Sequence, residues 1–461
     1  MTDTRGTRPA GPGRGRTRAA RLTSDTSTDG AADNAASSSV ADGVRSADAT
    51  DVPDVAASVR GRLAAMAERR RADRGRAVAL PWDLFRDVGV PLGIFALTRL
   101  VQILVLDWML QPGQTLTNRL LSWDADWFIR VATNGYPHGY TYDSGGNVTG
   151  NELAFFPLYP WLIRFVDDLG VTPAHSALAV SWIAAAVASV LVYALGRRLA
   201  TGAGKPAHVA RRVGYALVVL CFAQPLSIVF SMGYSEPVFL ALVVGMFLAT
   251  YRRWWLVAGV LGFAAGLTRP TGAAAAIGLA VAAGMCVANR SRRTGERVAA
   301  VIGAMVALAG VPAYIGWVGL RVGHLDAWFK IQTAGWGTTF DYGHSTWEFV
   351  TSTLRTGVDW VAISVLLILV AATVATIIGI RQNTWLPLSV YGFLAYALVV
   401  GQAGFFHSKP RLLLPALLVL LPAAFAAARA RPSRATWWLV GYAAIGLWYG
   451  GYMVTVWRYA I

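Results

Sequence analysis

The residues best suited to chemistry lie in a polar, aromatic stretch, 122–160, that separates two long apolar runs. At its start, Asp124 and Asp126 stand two residues apart between Trp123 and Trp127. Side chains two apart on a helix point in different directions, so one carboxylate would face a site and the other would be solvated. A partly buried carboxylate can take the proton of an attacking hydroxyl. We therefore predict Asp124 and Asp126 as catalytic candidates, with the two tryptophans as binding residues beside them.

The same four residues allow two other interpretations. Two carboxylates can hold a divalent cation against a phosphate. Alternatively, they are loop acids without a chemical role, and the tryptophans anchor the chain at a membrane interface. The six histidines show no zinc-ligand spacing, so a zinc site is not expected. No cofactor is required by the pattern, and a divalent cation stays an open alternative.

Glu236 begins another apolar run, directly after Tyr234 and Ser235. An unpaired charge at such a boundary is costly, which favours a functional role. A structural role is equally open, because Ser235 would suit a helix N-cap and the helix dipole favours an acid in the first turn. We keep Glu236 as a binding candidate beside that structural explanation.

Three cations stand where their charge is unexpected. Arg269 lies alone at a turn between two apolar runs, and Lys409 and Arg411 stand at a helix start, where the dipole disfavours cations. A guanidinium can grip phosphate oxygens in a fork, so an anionic ligand would explain these charges. A salt bridge from Arg269 to Glu236 or Asp124 would explain that residue equally well.

The region 321–358 offers further polar side chains among aromatic residues, Gln332 and Trp336 in particular. Aromatic faces are good platforms for sugars, although interfacial anchoring is the commoner reason for such tryptophans. We predict that both residues contact a ligand.

Composition assigns these residues to a membrane protein. Of the 461 residues, 55% are hydrophobic and 14% are charged, and the mean hydropathy is +0.47. A soluble chain would carry about 25% charged residues. The net charge of +16 lies mainly in the N-terminal arm and in short connections, where membrane topology accounts for it, so no nucleic-acid partner is expected. Cys221 and Cys286 lie inside apolar runs without disulfide or metal-ligand spacing.

Hydropathy predicts an all-α polytopic membrane protein. A spanning helix needs about 20 mostly apolar residues, and this rule predicts about eleven spans. The predicted spans are 89–109, 174–195, 213–231, 235–251, 254–271, 272–289, 298–320, 359–380, 384–402, 411–428 and 436–456.

Basic residues alternate between the connections of these spans. They collect in 196–212, 252–253, 290–297, Arg381 and 429–434. The positive-inside rule assigns these connections and the N-terminal arm to the cytoplasm. The long first loop, 110–173, and the second, 321–358, then fall on the extracytoplasmic face. We expect a multi-pass protein of the plasma membrane whose first loop is catalytic.

Two segments, 1–80 and 153–166, are not predicted to span the membrane. Residues 1–80 are rich in Arg, Ala, Gly, Ser, Asp and Thr and poor in aromatic residues, which predicts a disordered, basic cytoplasmic arm ahead of a transmembrane domain, 81–461. Within the first loop, 153–166 is apolar but too short to span. We predict that it lies at the membrane surface, with Tyr159 and Trp161 at headgroup level.

These residues together resemble the GPI mannosyltransferase family of the PIG-V type, in its bacterial branch, within the GT-C glycosyltransferase superfamily. The resemblance is carried by Trp123-Asp124-Ala125-Asp126-Trp127-Phe128, Ala132, Gly135-Tyr136 and Ala154-Phe155-Phe156-Pro157-Leu158-Tyr159-Pro160. Weaker support comes from Tyr234-Ser235-Glu236, Thr268-Arg269-Pro270-Thr271-Gly272, Trp328-Phe329, Gln332 and Gly335-Trp336-Gly337. The resemblance covers most of residues 85–415.

The resemblance implies a GT-C-like bundle and an inverting transferase. Such an enzyme moves mannose from a polyprenyl-phosphate-linked donor to a lipid or glycan acceptor on the extracytoplasmic face, within membrane lipids. It implies an essential acid at Asp124, with Asp126 at a position expected to vary in the family, and a ligand contact at Tyr136. The competing interpretation is a transporter or flippase for a polyprenyl-linked glycolipid, in which the same cations hold phosphate without chemistry.

Overall fold

The computed structural model describes residues 82–357, 359–382 and 385–461. The predicted disordered arm, 1–80, lies outside the described residues. The described helices are α1 (Trp82–Trp108), α2 (Leu116–Leu120), α3 (Asp124–Asn134), α4 (Leu158–Asp167), α5 (Pro173–Gly202), α6 (Ala207–Phe222), α7 (Glu236–Tyr251), α8 (Trp255–Gly266), α9 (Gly272–Ala288), α10 (Thr294–Val322), α11 (Ala327–Trp336), α12 (His344–Thr356), α13 (Trp360–Gln382), α14 (Leu386–Gly401), α15 (Lys409–Leu412), α16 (Leu421–Arg429) and α17 (Pro432–Thr455).

Short irregular elements connect these helices. Single 3-10 turns lie at Glu152–Ala154, Ser227–Phe230, Phe406–Ser408 and Leu417–Val419. One antiparallel hairpin, β1 (Thr141–Tyr142) and β2 (Val148–Thr149), lies in the first loop.

Four of the described helices, α1, α5, α10 and α13, are long and apolar enough to cross a membrane. Helices α7, α8, α9 and α14 are apolar but shorter. The predicted spans overlap these helices, α6 and α17, or the bent segment that contains α15 and α16. The predicted span 213–231 is helical in α6 only as far as Phe222 and continues as an irregular segment with the 3-10 turn Ser227–Phe230. The prediction of an all-α polytopic membrane protein is confirmed, whereas the number of spans stays a prediction.

The predicted span 411–428 is not one continuous helix. Helices Phe406–Leu412 and Leu417–Arg429 meet at an angle of 85°, so they form one span only if a broken helix is counted as one. Pro415 lies in the break, and proline ends a helix because it lacks a backbone N–H and its ring clashes with the preceding turn.

Helix α4 corrects the prediction for 153–166. Trp161 is exposed, but Tyr159 is fully buried and does not lie at the surface. The hydroxyl of Tyr159 donates to the carbonyl of Ala177 (2.8 Å) in α5. Together with buried Ile163, Tyr159 packs α4 into the helical bundle, because the apolar face of a short amphipathic helix gains most from burial against its neighbours.

The second loop is anchored at the end of α14. Phe340 forms a β-bridge with Gln402, and the backbone N–H of Asp341 donates to the carbonyl of Gly401 (3.0 Å). The hydroxyl and the backbone N–H of Ser345 donate to the Asp341 carboxylate. These hydrogen bonds lower the pKa of Asp341 to about 2, so this carboxylate stays ionised while it holds the start of α12.

Helices α8 and α10 pack backbone to backbone through small residues. A Cβ atom added at Gly259 would lie 2.6 Å from the carbonyl oxygen of Gly303, and one added at Gly310 would lie 2.5 Å from that of Phe263. Close approach of this kind is a main source of helix association in lipid. The contact fixes the end of α8 and therefore the turn that follows it.

Replacing Gly310 with alanine should lower the midpoint of thermal unfolding of the purified protein. The new methyl group would collide with the Phe263 carbonyl, and overpacking of this kind costs about 1–3 kcal/mol. Gly316→Ala is the matched control on the same helix, since no heavy atom lies within 4 Å of its added Cβ. The control should keep or raise the midpoint, because alanine is the better helix former. Equal midpoints for the two variants would contradict the close contact.

Candidate active site

Four of the predicted residues form one charge cluster: Asp124, Glu236, Arg269 and Arg411. Nη1 of Arg411 lies 2.7 Å from Oδ2 of Asp124. Nε of Arg411 lies 3.5 Å from Oε1 of Glu236. Nη1 of Arg269 lies 2.9 Å from the same Glu236 oxygen. Acids and cations therefore alternate through the cluster from Asp124 to Arg269.

Asp124 is the first residue of α3. Trp123 before it has a φ of +59°, and a bulky L-residue held in this region is strained by about 1–3 kcal/mol. The turn at Trp123 places Asp124 at the N-terminus of the helix, where the dipole favours a negative charge. The side chain of Asp124 is 19% exposed, so its carboxylate can be reached from outside the bundle.

Glu236 is the most buried member of the cluster, with a side chain 1% exposed. Ser235 occupies the N-cap position of α7, but its hydroxyl makes no cap hydrogen bond. That hydroxyl accepts a hydrogen bond from Nη1 of Arg269 instead (3.0 Å). A buried carboxylate is costly unless it is paired, and here two arginines pair it. Of the explanations considered for Arg269, the structure contains the salt bridge to Glu236.

Arg411 lies between the two acids and is itself buried. Its Cζ atom lies 5.2 Å from the centre of the Tyr234 ring, a cation–π contact that is favourable in a desolvated setting. Arg411 therefore contacts α3, the start of α7 and the segment between Ser231 and Ser235 at once.

Lys409 is not brought into the charge cluster, although it is only two residues from Arg411. Its ammonium donates to the carbonyls of Val399 (2.8 Å) and Gln402 (2.6 Å). These carbonyls lie at the C-terminal end of α14, where backbone acceptors lack helical partners and the dipole favours a cation. The helix end accounts for the charge of Lys409 without an anionic ligand, and its predicted substrate contact stays a prediction.

Asp126 lies outside the cluster. Its side chain is 66% exposed and forms an ion pair with Arg130 one turn along α3 (3.2 Å). Arg130 also approaches Glu152 (3.5 Å) and lies over the Trp127 ring, 3.8 Å from its centre. The two aspartates of the motif thus have different surroundings, and the catalytic role predicted for Asp126 stays a prediction.

Three rings, Trp127, Phe155 and Trp336, form an aromatic face between the two loops. Trp127 stacks on Phe155 with ring centres 5.6 Å apart, and Trp336 meets both rings edge-on. Nε2 of Gln332 donates to the carbonyl of Ala154 (3.0 Å). Because Gln332 and Trp336 belong to α11, these contacts join the second loop to the first.

Further contacts fix the first loop in the same place. The hydroxyl of Tyr136 donates to the carbonyl of Phe155 (2.8 Å). Burial raises the pKa of Tyr136, so its hydroxyl stays protonated as a donor. A Cβ atom added at Gly150 would lie 2.6 Å from Cα of Gly335, so the two loops also meet backbone to backbone. The ligand contact predicted for Tyr136 stays a prediction.

The described residues contain no ligand set for the divalent cation that the sequence left open. Within 82–357, 359–382 and 385–461, no group of three or more His, Cys, Asp or Glu side chains is placed to hold a metal ion. Asp124 and Asp126 do not converge with a third ligand, and each is paired with an arginine.

Sequence reasoning missed three neighbours of the site: Arg130, Tyr234 and Phe155. Arg130 follows Asp126 by four residues, and this spacing is a visible signal for a helical ion pair. Tyr234 and Phe155 were part of the motifs, but their ring contacts are made across the fold and have no local signal in the sequence.

The buried pair of Glu236 and Arg269 generates a prediction for stability. Glu236→Gln and Arg269→Gln should each lower the free energy of unfolding by about 3–5 kcal/mol, because each removes one half of the closest buried ion pair. After Arg269→Gln, Glu236 keeps only the longer contact to Arg411 (3.5 Å). The double variant should lose less than the sum of the two, and the difference measures their coupling. Denaturant unfolding of the purified variants gives these values.

The exposed ion pair of Asp326 and Lys330 is the control for this comparison of single and double variants. Their side chains are 58% and 54% exposed, so removing either charge should change the free energy by less than about 1 kcal/mol. Strictly additive losses at Glu236 and Arg269 would show that the two side chains do not stabilise each other.

Part of this chain is similar in sequence to known proteins. Residues 109–291 match the family described as mannosyltransferase (PIG-V). The GPI mannosyltransferase 2 of Drosophila pseudoobscura pseudoobscura is 32% identical over 132 residues, which cover 26% of this chain and 25% of that relative. The chain thus spans about a quarter of the length of this curated relative. No solved structure matches the chain.

The family match includes three members of the charge cluster, Asp124, Glu236 and Arg269, and ends before Arg411. It also contains the first loop with its aspartate motif. The resemblance predicted from the motifs agrees with these matches over residues 109–291, where this chain is similar to mannosyltransferases of the PIG-V type. The assignment to a bacterial branch stays a prediction.

Proposed function

We propose that the protein moves a mannosyl residue from a polyprenyl-phosphate-linked donor to a hydroxyl group of a lipid or glycan acceptor. The observation that carries this proposal is the charge cluster, in which the accessible carboxylate of Asp124 is paired with Arg411 and a second arginine, Arg269, is held by Glu236. Transfer from a phosphate-linked sugar needs both features: a base for the attacking hydroxyl and cations for the departing phosphate.

Asp124 suits the role of base better than Glu236. Its side chain is 19% exposed and stands at the entrance of the cluster, whereas that of Glu236 is 1% exposed. A general base must come within hydrogen-bonding distance of the proton that it removes. An acceptor hydroxyl can approach Asp124 from outside, while Glu236 serves to hold Arg269 and Arg411 in place.

In the proposed reaction, the acceptor hydroxyl gives its proton to Asp124 as its oxygen bonds to the anomeric carbon of the sugar. The bond between that carbon and the phosphate oxygen breaks in the same step, and its electron pair leaves with the polyprenyl phosphate. Because the acceptor attacks from the face opposite the phosphate, the configuration is inverted. Arg269 and Arg411 stabilise the negative charge gained by the leaving group.

The ion pair between Arg411 and Asp124 favours an order of events. A donor phosphate that drew Arg411 to itself would take this cation from Asp124. The carboxylate oxygen that Arg411 occupies would then be free to meet the acceptor hydroxyl.

Two further features support the proposal. The aromatic face of Trp127, Phe155 and Trp336 presents rings that can pack against a sugar or an isoprenoid chain. The basic residues in alternate connections favour an orientation with the N-terminus in the cytoplasm. In that orientation the reaction takes place on the extracytoplasmic face of the plasma membrane.

Asp124→Asn tests the assigned base. The variant keeps the size of the side chain but cannot accept the proton, and loss of a general base should slow transfer by about 10²–10⁴-fold. The measurement is transfer of labelled mannose from polyprenyl-phosphate mannose to candidate lipid or glycan acceptors by the purified protein. Asp126→Asn is the matched control two residues away, and its transfer rate should stay within about fivefold of the unmodified protein, as for an exposed ion pair.

Both variants should insert into the membrane in normal amounts. Near-normal transfer by the Asp124→Asn variant would remove Asp124 from the role of base. Movement of the intact lipid-linked sugar across the bilayer without any transfer by the unmodified protein would support the transporter interpretation instead.

A further inference from the structure

A cavity of about 330 Å³ lies away from the charge cluster. We name it the basic cavity. Its walls include Tyr251, Arg253, Trp255, Asn289, Arg292 and Glu296. None of these residues has a part in the proposed transfer reaction.

The basic cavity and the charge cluster lie at opposite ends of the same helices. Helix α7 runs from Glu236, in the cluster, to Tyr251, in the cavity wall. Helix α9 begins at Gly272, just after the turn that carries Arg269, and ends just before Asn289. Helices of this length separate their ends by about 25 Å at 1.5 Å per residue. The cavity is therefore a separate site, on the face that the charge pattern assigns to the cytoplasm.

The cavity wall carries more hydrogen-bond donors than the carboxylate of Glu296 can accept from. Arg253 lies 3.6 Å from Glu296, which is longer than a strong charge-assisted hydrogen bond, and its side chain is 54% exposed. Arg292, also in the wall, has no ion-pair partner among the described residues. The amide of Asn289 adds a neutral donor. The side chains of the wall are thus complementary to an anion.

Arg253 is held in a conformation that arginine rarely adopts. Its φ is +62°, in the left-handed region, within the short connection between α7 and α8. Side chains with a branched or long Cβ substituent are strained there, and such outliers concentrate at ligand-binding positions. Glycine would suit this backbone better, and the left-handed turn ends α7 so that the Arg253 side chain lies in the cavity wall.

Aromatic and apolar residues complete the wall. The rings of Tyr251 and Trp385 lie 4.9 Å apart between centres. Trp255 is buried, and its indole nitrogen has no hydrogen-bond partner within the described parts of the chain. Met285 belongs both to the wall and to the exposed apolar side of α9. A cavity with arginines at the end of apolar helices and aromatic rings beside them matches sites for phosphate headgroups.

We propose that the basic cavity binds a phosphate group through Arg253 and Arg292. The group belongs either to a phospholipid of the adjoining leaflet or to a soluble phosphate compound, since the recognising chemistry is the same. This site goes beyond the proposed transferase activity and does not depend on it.

The test uses the full-length protein purified in detergent. Native mass spectrometry counts the phosphatidylglycerol and phosphatidylcholine molecules that it retains, and a parallel thermal scan records the midpoint in excess inorganic phosphate. The unmodified protein should retain the anionic lipid in preference to the zwitterionic one. A ligand that binds the folded state raises the midpoint by mass action.

Three variants carry the expected changes. Arg253→Asn, which tolerates the left-handed backbone, and Arg292→Gln should each lower retention of phosphatidylglycerol about tenfold, because a charge-assisted hydrogen bond to phosphate is lost. Glu296→Gln should increase retention, since it removes the acid that competes for Arg253. Arg252→Asn is the matched control, because Arg252 lies over the Trp254 ring (5.2 Å) and not in the cavity wall. The Arg252→Asn variant should retain as much phosphatidylglycerol as the unmodified protein.

The outcomes separate the sources of phosphate. A lipid preference that depends on Arg253 and Arg292 supports a phospholipid headgroup. A midpoint shift by inorganic phosphate that depends on the same two arginines, without lipid preference, supports a soluble phosphate compound. If neither effect depends on them, or if Arg252→Asn is as harmful as Arg253→Asn, the proposal is overturned.

Discussion

Burial of the Glu236 carboxylate is the constraint on which the arrangement of the site depends. A charge that is 1% exposed must be compensated by nearby cations. The compensating arginines come from the turn after α8 and from α15, two segments far apart in the sequence. Their convergence on the start of α7 brings three helix ends together. Asp124 then joins the assembly through Arg411, and its side chain is the most exposed of the four.

Charge at the boundaries of apolar runs was the most informative signal in the sequence. It allowed a salt bridge between Arg269 and Glu236 as one of several explanations, and the structure contains this bridge. The same argument was incomplete for Lys409. The sequence shows this residue at the start of one helix, but only the fold shows that it also lies against the end of α14. The charge of Lys409 is explained by the free carbonyl groups at the end of α14, and no pattern along the chain predicts this contact.

Hydropathy predicted where the helices lie but not how they are shaped. Its windows identify apolar segments, and each of those contains a helix, although 213–231 and 411–428 are not helical throughout. The break at Pro415 and the burial of Tyr159 depend on contacts with other helices, which a window along one segment cannot contain. Helical periodicity likewise predicted that Asp124 and Asp126 would differ in surroundings. It could not tell which of them faces the cluster, because that depends on where Arg411 lies in three dimensions.

The broken helix at α15 has a mechanical consequence. One turn of helix carries both Arg411, bound to Asp124 in the first loop, and Lys409, bound to the carbonyls at the end of α14. That end of α14 also holds Phe340 and Asp341 of the second loop. One turn of helix therefore joins the first loop, through Arg411, to the end of α14 that anchors the second loop, through Lys409. The two loops that surround the site thus share one point of attachment.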